Sequence, residues 1–409
     1  MTDWTFIPQP GIQPTPAQVP TPQPVPVQTP TPQSIPQEDP VTVSMQNQNM
    51  DAVQYLDYLC GLMVEHNSSD IYLTYGEEPV LRIFWEARRI VGLPKLDDQM
   101  LNAFADYMMN EEDKANFQKN LSADLGKSIH GRRYRVNISR QRDHIMIVAR
   151  LLEEKVPTID ERNLPQIFKT LTQKTNGLIF VAGPTGCGKS TTLAAMIEEV
   201  NMNKQKHIIT IEDPIEYVFT PKKAIFEQKQ LGKDIISFAS AMKYALRQRP
   251  DVILFGEARD PESLRNAIAL AETGHLVLTT IHSRSAEQTI NKIISMFPAD
   301  EQPQIRNQVS ENMTAIIIQK LLRKKDGKGM IPAFEILLNN TAVENTIREN
   351  KLNQIKNVMY TNRNMGMQIL EDHLVKLVQS GDISIESAMS NANDHSQVQR
   401  ELQALGYQF

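Results

Sequence analysis

A glycine-rich segment near the middle of the chain limits most strongly what the chain can fold into. Residues 183–191 read GPTGCGKST and match the phosphate-binding pattern G-x-x-x-x-G-K-[ST]. An apolar run over residues 178–182 precedes the segment, and a helical pattern over residues 192–200 follows it. A buried strand that leads through such a loop into a helix is typical of a parallel sheet covered by helices. The sequence therefore predicts an α/β fold with this loop at a strand end.

Each residue type in the loop suits the binding of a phosphate chain. Glycines let consecutive amides point at one anion without Cβ clashes. Lys189 offers a positive charge to the β and γ phosphates of ATP, and the hydroxyl of Ser190 is a ligand for Mg²⁺. The positive end of the following helix adds to this attraction. The candidate nucleotide-binding residues are Gly183, Pro184, Thr185, Gly186, Cys187, Gly188, Lys189, Ser190 and Thr191.

Three ionisable residues follow predicted strands of the same sheet. The candidate strands span residues 178–182, 207–211, 252–255 and 276–281. Glu212 and His282 come directly after two of these strands, and Glu257 comes two residues after a third. Ligands of open parallel sheets bind at the carboxyl ends of the strands. One acid at a strand end can be a helix cap, but three such groups around one phosphate loop predict a catalytic site.

The carboxylate that activates water is open between two residues at this stage. In phosphate-loop enzymes an aspartate commonly helps to hold Mg²⁺ at the end of the second motif strand. Here Gly256 and Glu257 follow that strand, and Asp251 lies at its other end. The water-orienting carboxylate is then Glu212 or Glu257, because phosphoryl transfer requires mainly positioning and charge neutralisation.

The chain before the loop divides into two unlike parts. Twelve of the 24 prolines lie in residues 8–40, and no Lys or Arg precedes Arg82. Proline removes amide donors and favours extended backbone, so this stretch is predicted to be a disordered tail, with a docking peptide or semi-rigid tether as the alternatives. The predicted segments are a Pro/Gln-rich disordered segment over 1–49, a small α+β domain over 50–152, a linker over 153–163, the parallel-sheet domain over 164–330, a helical region over 331–390 and a polar tail over 391–409.

Composition excludes several other classes of protein. Two cysteines cannot form a disulfide scaffold or a four-cysteine zinc site. No run of 18 apolar residues predicts a membrane span, the first residues lack the pattern of a signal peptide, and a net charge of −5 does not favour nucleic-acid binding. These features favour a cytoplasmic protein of several domains. Cys187 in the loop is either a small side chain at a variable position or a thiol activated by the helix N-terminus.

Four sequence blocks, taken together, resemble the motifs of one ATPase family. The glycine-rich loop is followed by IEDPIEY at 211–217, LFGEARD at 254–260 and AETGHLVLTTIH at 271–282. This order resembles the Walker A, Asp box, Walker B and His box of the secretion and type IV pilus ATPases. The blocks NSSDI at 67–71 and RYRVN at 133–137 are most similar to the twitching-motility retraction branch, and the resemblance runs from about residue 50 to residue 392.

The resemblance implies an architecture and a role for each candidate residue. It implies a hexameric ring in which each subunit joins a PAS-like N-terminal domain to a RecA-like ATPase domain, with ATP between them. It implies that Glu212 activates water, that Glu257 organises Mg²⁺ and water, and that His282 senses the γ-phosphate. Arg135 and Arg150 would stabilise charge in the transition state. The three phosphates carry more charge than one lysine and Mg²⁺ neutralise, which supports such arginines, although a solvated strand face would also contain them.

The implied function is that of a Mg-ATP-hydrolysing motor for pilus retraction and twitching motility. Its implied partners are further copies of itself, an inner-membrane pilus platform protein and a second retraction ATPase, with no nucleic acid and no membrane span of its own. The retraction family has A-I-R-N-L-I-R-E where residues 342–349 read AVENTIRE, so Glu344 replaces a basic residue and Thr346 a leucine; Tyr72 also stands where the family usually has histidine. An accessory retraction or secretion assembly ATPase, or a non-catalytic ring subunit, therefore stays open as an alternative.

Overall fold

Two seven-stranded sheets organise the chain in the computed structural model, which describes residues 41–43, 50–84, 86–153 and 155–408. The first sheet belongs to the N-terminal domain and the second to the domain that contains the glycine-rich loop. The predicted disorder of residues 1–40 and 44–49 lies outside the described residues. Among the described helices, none combines the length and the apolar character that crossing a bilayer requires.

The N-terminal sheet is antiparallel except at one edge. Its strand order is β1-β4-β3-β2-β7-β6-β5, and only the β1–β4 pair is parallel. Its elements are β1 Val41–Thr42, α1 Ala52–Glu65, β2 Asp70–Thr74, β3 Val80–Ile83, β4 Glu86–Val91, α2 Asp98–Met108, α3 Glu111–Asn120, β5 Ser122–Ile129, β6 Arg132–Gln141 and β7 His144–Leu151. Helix α1 begins where predicted, because Asp51 and Gln54 form a reciprocal capping box at its N-terminus. The mixed α+β character of this region is as predicted.

Strand β1 shows that order begins earlier than residue 50. Val41 pairs with Ile90 and is buried in the N-terminal core, although the sequence assigns it to the disordered segment. Val43 also donates its amide to the carbonyl oxygen of Val91. The approach is close at Gly92, where an added Cβ would lie 2.2 Å from the carbonyl oxygen of Val43. The boundary at residue 49 is therefore wrong for residues 41–43, because the apolar side chain of Val41 finds a place in the core.

The second sheet confirms the predicted α/β class. Its order is β10-β9-β11-β12-β8-β13-β14, with parallel pairing everywhere except between β13 and β14. Its elements are α4 Ile167–Leu171, β8 Gly177–Ala182, α5 Lys189–Asn203, β9 His207–Glu212, β10 Ile225–Gln230, α6 Phe238–Ala245, β11 Val252–Phe255, α7 Pro261–Glu272, β12 Leu276–Ile281, α8 Ala286–Ser295, α9 Gln302–Asn312, β13 Met313–Arg323 and β14 Met330–Leu338. Every residue of β8 is buried, and its side chains alternate between the two apolar cores on the faces of the sheet.

The C-terminal part departs from the prediction in two places. Residues 331–338 are predicted to be helical, but they lie in β14, which pairs with β13 as the last strand of the sheet. An apolar run of this length fits either a strand or a buried helix, and the partner strand decides. The predicted polar tail contains helix α14, His395–Ala404, because Val398 and Leu402 are fully buried. The remaining elements are α10 Thr341–Arg348, α11 Ile355–Thr361, α12 Leu370–Gln379 and α13 Ile385–Asn391, with short 3₁₀ turns at Leu246–Gln248, Leu352–Gln354 and Arg363–Met365.

Candidate nucleotide-binding site

A cavity of about 600 Å³ lies between the carboxyl ends of the second sheet and the N-terminal domain. It brings together most of the residues predicted from the sequence. The predicted residues that line it are Arg135, Arg150, Thr185, Gly186, Gly188, Lys189, Ser190, Thr191, Glu212, Glu257 and His282. Gly183, Pro184 and Cys187 instead line a neighbouring cavity of about 490 Å³, which His282 also borders. The loop thus separates two cavities: Thr185 and Gly186 line both, and residues 188–191 line the larger one.

The register of the sheet aligns the three ionisable residues at one edge. Phe255, the last residue of β11, pairs with Ile211 of β9 and with Thr279 of β12. Glu212 ends β9, and His282 directly follows β12. Because neighbouring parallel strands end at the same level, their last side chains converge without any special loop.

The glycines of the loop adopt the backbone conformations that the motif requires. Gly183, Gly186 and Gly188 have φ values of +149°, +79° and +89°, a region that side chains with a Cβ rarely adopt. The ammonium of Lys189 donates to the carbonyl oxygens of Gly183 at 3.0 Å and of Pro184 at 2.9 Å. Burial lowers the pKa of Lys189, and the nearby carboxylate of Glu257 opposes that shift. The two hydrogen bonds therefore hold the ammonium group of Lys189 against the backbone of the loop.

Glu257 is the centre of a cluster of charged groups. One carboxylate oxygen lies 3.2 Å from Nε2 of His282, and the other lies 2.8 Å from Nε of Arg259. Arg259 also lies 3.8 Å from a carboxylate oxygen of Asp213, and Nδ1 of His282 lies 3.2 Å from the carbonyl oxygen of Gly183. The cluster connects the ends of β9, β11 and β12 to the phosphate loop.

Glu212 has the chemistry of a general base near neutral pH. Burial raises its pKa to about 7, and the negative charge of Glu216 contributes to the same direction. The nearby polar side chains of Thr210 and Gln228 act against this shift, although Oε1 of Glu212 is buried without a hydrogen-bond partner among the described residues. A carboxylate with a pKa near the working pH can take a proton from water and release it again.

The N-terminal domain supplies the two predicted arginines from neighbouring strands. Arg135 of β6 pairs directly with Arg150 of β7, so both side chains come from the same place on the sheet. Nε of Arg150 lies 2.8 Å from Oδ1 of the buried Asp70, and Nη1 of Arg135 lies 3.8 Å from Oε1 of Glu216. This places two positive charges opposite the phosphate loop, each with a carboxylate partner.

Some residues at the site were not singled out from the sequence. Arg259 is visible there only as part of the 254–260 block, and Gln319 lies on β13, a strand that the sequence analysis did not predict. Tyr217 is buried, and its hydroxyl lies 3.0 Å from Oγ1 of Thr191. In the sequence it is marked only as the last residue of the IEDPIEY block.

Cys187 does not have the surroundings of a reactive thiol. Its side chain is 3% exposed, and burial raises its pKa despite the charge of Lys189 nearby. This favours the interpretation of Cys187 as a small side chain at a variable loop position.

The donors at the cavity suit Mg²⁺ bound together with a nucleotide. Within the described ranges, no group of three or more His, Cys, Asp and Glu side chains could hold a metal ion by itself. Mg²⁺ is usually bound by one or two protein ligands, the substrate phosphates and water. The hydroxyl of Ser190 and the carboxylate of Glu257 both line the cavity, which fits that limited protein contribution.

Comparison with known proteins gives the class to which this fold and site belong. Residues 146–406 match the family described as "Type II/IV secretion system protein". Because this match covers more than half of the chain, the chain belongs to that family.

Relatives over most of the chain narrow the class. The type IV pilus retractation ATPase PilT of Pseudomonas aeruginosa is 39% identical over 335 residues, which are 82% of this chain and 97% of the relative. The type IV pilus ATPase PilU of the same organism is 38% identical over 336 residues, which are 82% of this chain and 88% of the relative. A crystal structure of the pilus retraction motor PilT with bound ADP matches with a TM-score of 0.76 and 39% identity, over 84% of this chain and 99% of that chain. The resemblance to retraction ATPases is therefore confirmed.

Proposed function

We propose that this protein is a Mg-ATP-hydrolysing hexameric motor that powers type IV pilus retraction. The observation that carries the proposal is the single cavity that joins the phosphate loop, a carboxylate with a pKa of about 7 and two arginines of a second domain. ATP is the expected substrate because its phosphate chain suits the loop, and because a PilT structure was solved with bound ADP.

The residues of the second sheet that line the cavity have different roles in the proposed reaction. Lys189 and the loop amides bind the phosphates, and Glu212 accepts the proton of the attacking water. Ser190 and Glu257 would hold Mg²⁺, which neutralises phosphate charge when it is bound. His282 reports the state of the γ-phosphate through its contact with Glu257, 3.2 Å away.

Arg135 and Arg150 act as the second source of positive charge. Their present partners are Glu216 and Asp70. Arg135 and Glu216 are both about one-third exposed, so this ion pair contributes little and exchanges readily. Asp70 is buried, so its pair with Arg150 is held more firmly. Contact with the γ-phosphate would replace the Arg135–Glu216 pair in the transition state, where the developing charge makes arginine most effective.

The ring, the partners and the location are proposed on the basis of membership of the family. The proposal places the hexamer in the cytoplasm, against an inner-membrane pilus platform protein and with a second retraction ATPase as a further partner. Membership of the secretion family and similarity to PilT and PilU support this placement.

An accessory retraction ATPase is the second candidate, because the identity with PilU is within one percentage point of that with PilT. Two of the three sequence departures, Glu344 and Thr346, lie together on α10. There Thr346 is buried and donates its hydroxyl to the carbonyl oxygen of Ala342, as a leucine could not. Deletion of the gene separates the candidates: hyperpiliated, immobile cells indicate the retraction motor, retained pili with partly reduced twitching indicate an accessory role, and loss of surface pili contradicts both.

Phosphate release by the purified chain tests the catalytic part of the proposal. The wild type should hydrolyse ATP in the presence of Mg²⁺, and Lys189→Ala should lose nucleotide binding, whereas the exposed Lys174→Ala should behave as wild type. A single-turnover experiment with labelled ATP separates an enzyme from a non-catalytic ring subunit. Binding without any hydrolysis under these conditions would contradict the proposal, and the molar mass in solution tests the hexamer.

A further inference from the structure

Gln319 lies in the sheet at the point where β13 passes beside the phosphate loop. Its side chain is 3% exposed, and both ends of its amide are bound. Nε2 donates to the carbonyl oxygen of Cys187 at 2.7 Å, and Oε1 accepts from Oγ1 of Thr192 at 2.7 Å. The first partner belongs to the loop and the second to the first turn of α5. One neutral side chain thus ties the loop to the helix that it opens.

The main chain of Gln319 contacts the other end of the loop. Its neighbour Ile318 pairs with Ala182, the last residue of β8. A Cβ added to Gly183 would lie 2.3 Å from the carbonyl oxygen of Gln319. A real Cβ does not come so close to a carbonyl oxygen, so a glycine is needed at position 183. Gln319 therefore contacts both ends of the phosphate loop.

The hydrogen bond to Cys187 also sets the direction of a loop amide. The Cys187–Gly188 peptide is trans, and the C=O and N–H of a planar trans peptide point in opposite directions. Because the carbonyl group points to Gln319, the N–H of Gly188 points away from β13. Gly188 lines the larger cavity, where phosphate is expected. The hydrogen bond from Gln319 to Cys187 thus orients the Gly188 N–H, the type of group with which such a loop binds phosphate.

We infer that Gln319 is a positioning residue for phosphate binding, acting through the Cys187–Gly188 peptide. This inference rests on the proposed function, since it takes ATP as the ligand of the loop. Glutamine suits the position because it offers a donor to the carbonyl group and an acceptor to the hydroxyl group at the same time. A glutamate would place an acceptor against the carbonyl oxygen of Cys187 and would add a negative charge behind the phosphates.

Steady-state ATP hydrolysis by the full chain tests this inference. Gln319→Met keeps the length of the side chain but removes both hydrogen bonds. We expect KM for ATP to rise about tenfold, which is the effect of one well-placed hydrogen bond on an equilibrium constant, with kcat changed less than about threefold. Gln319→Glu should raise KM further. A purely structural role would instead lower the active fraction, and so kcat, without changing KM.

The matched control is Gln368→Met. Gln368 also donates its amide to a backbone carbonyl, that of Phe334 at 3.1 Å, but it does not line the nucleotide cavity. This variant should keep the wild-type KM. An equal KM in Gln319→Met and the wild type would overturn the inference.

A milder variant covers the case in which Gln319→Met fails to fold. Thr192→Val removes the hydroxyl that fixes Oε1 of Gln319 and leaves the rest of the helix turn in place. We expect KM to rise about threefold, as for a partly released side chain, and a wild-type KM in this variant would also overturn the inference. If the wild-type chain itself neither binds nor hydrolyses ATP, the proposed function fails, which is a distinct result from a silent substitution at 319.

Discussion

The nucleotide cavity has two walls of opposite construction. The sheet wall is formed by the phosphate loop and the strand ends of the second sheet, and the N-terminal wall, or arginine wall, by Arg135 and Arg150. On the sheet side, the phosphate loop is fixed by buried neutral groups, with Gln319 and Thr192 almost completely buried. On the N-terminal side, Arg135 and Arg150 are one-third to one-half exposed and are held by ion pairs. Buried hydrogen bonds are costly to break, whereas a partly exposed ion pair such as Arg135–Glu216 contributes at most about 1 kcal/mol. The sheet side is thus suited to hold the phosphates in place, and Arg135 on the N-terminal side is suited to change partners during the reaction.

The largest expected effect is the loss of the base on the sheet wall. Glu212→Gln keeps the size of the side chain but cannot accept a proton, so kcat for ATP hydrolysis should fall about 1,000-fold. The affinity for ATP, measured by calorimetry, should stay within about threefold of the wild type. If Glu212→Gln turned over ATP at close to the wild-type rate, Glu212 would not be the base, and Glu257 would be the remaining candidate.

The arginine wall should affect turnover more than binding. Arg135→Ala and Arg150→Ala each remove a donor for transition-state charge, so kcat should fall about 100-fold with a smaller change in KM. Arg140→Ala is the control, since this exposed residue lies on β6, the strand of Arg135, but outside the cavity. If both cavity variants raised KM alone, the two walls would have the same function and the comparison would be wrong.

The acid limb of the pH–rate profile tests the buried base. Since burial raises the pKa of Glu212 to about 7, kcat/KM should fall about tenfold for each pH unit below about 6. Removal of a neighbouring negative charge by Glu216→Gln should move this limb to lower pH. A profile that is flat from pH 5.5 to 8 would exclude Glu212 as the base.

The same pKa has a consequence for stability, with a defined sign. The folded state binds the proton of Glu212 more tightly than the unfolded state, so its contribution to stability is complete below about pH 4.5 and is lost as the pH rises through 7. Glu212→Gln should therefore raise the melting temperature relative to the wild type at pH 8 more than at pH 5. Thermal unfolding at the two pH values measures the difference.

The smallest effect is expected at a contact between the two domains outside the cavity. Arg323 and Glu86 form an ion pair at 3.1 Å between the two domains, with both side chains well exposed. Arg323→Ala should change kcat by less than about twofold, because exposed pairs contribute little. A large loss of turnover would show that contacts outside the cavity also hold the arginine wall in place.

The sequence predicted the sheet wall far better than the N-terminal wall. Motif spacing and the rule that strand ends converge predict Lys189, Glu212 and His282. Neither of these two signals depends on knowing the long-range contacts of the chain. The adjacency of Arg135 and Arg150 depends on the register of β6 with β7, which joins residues that are 15 positions apart in the chain. The sequence pattern does not contain that register, and only the family resemblance indicated these two arginines.

The missed elements have a common physical reason. β13 and β14 are apolar runs whose type is decided by their partner strands. The sequence pattern therefore does not predict β13, and it predicts a helical region where β14 lies. Gln319 was overlooked for that reason, since its importance depends on the contact of β13 with the loop, 132 positions away from Cys187. In α14, only two buried side chains, Val398 and Leu402, hold a mostly polar sequence in place.

Strand β1 also has a consequence for the behaviour of the protein in concentrated solution. The free edge of a sheet is a template on which another chain can add a strand, and natural proteins cover or interrupt such edges. Here Val41 and Thr42 cover the edge of β4, and a strand of two residues is itself a very short edge. The short strand therefore protects the N-terminal domain against edge-to-edge aggregation.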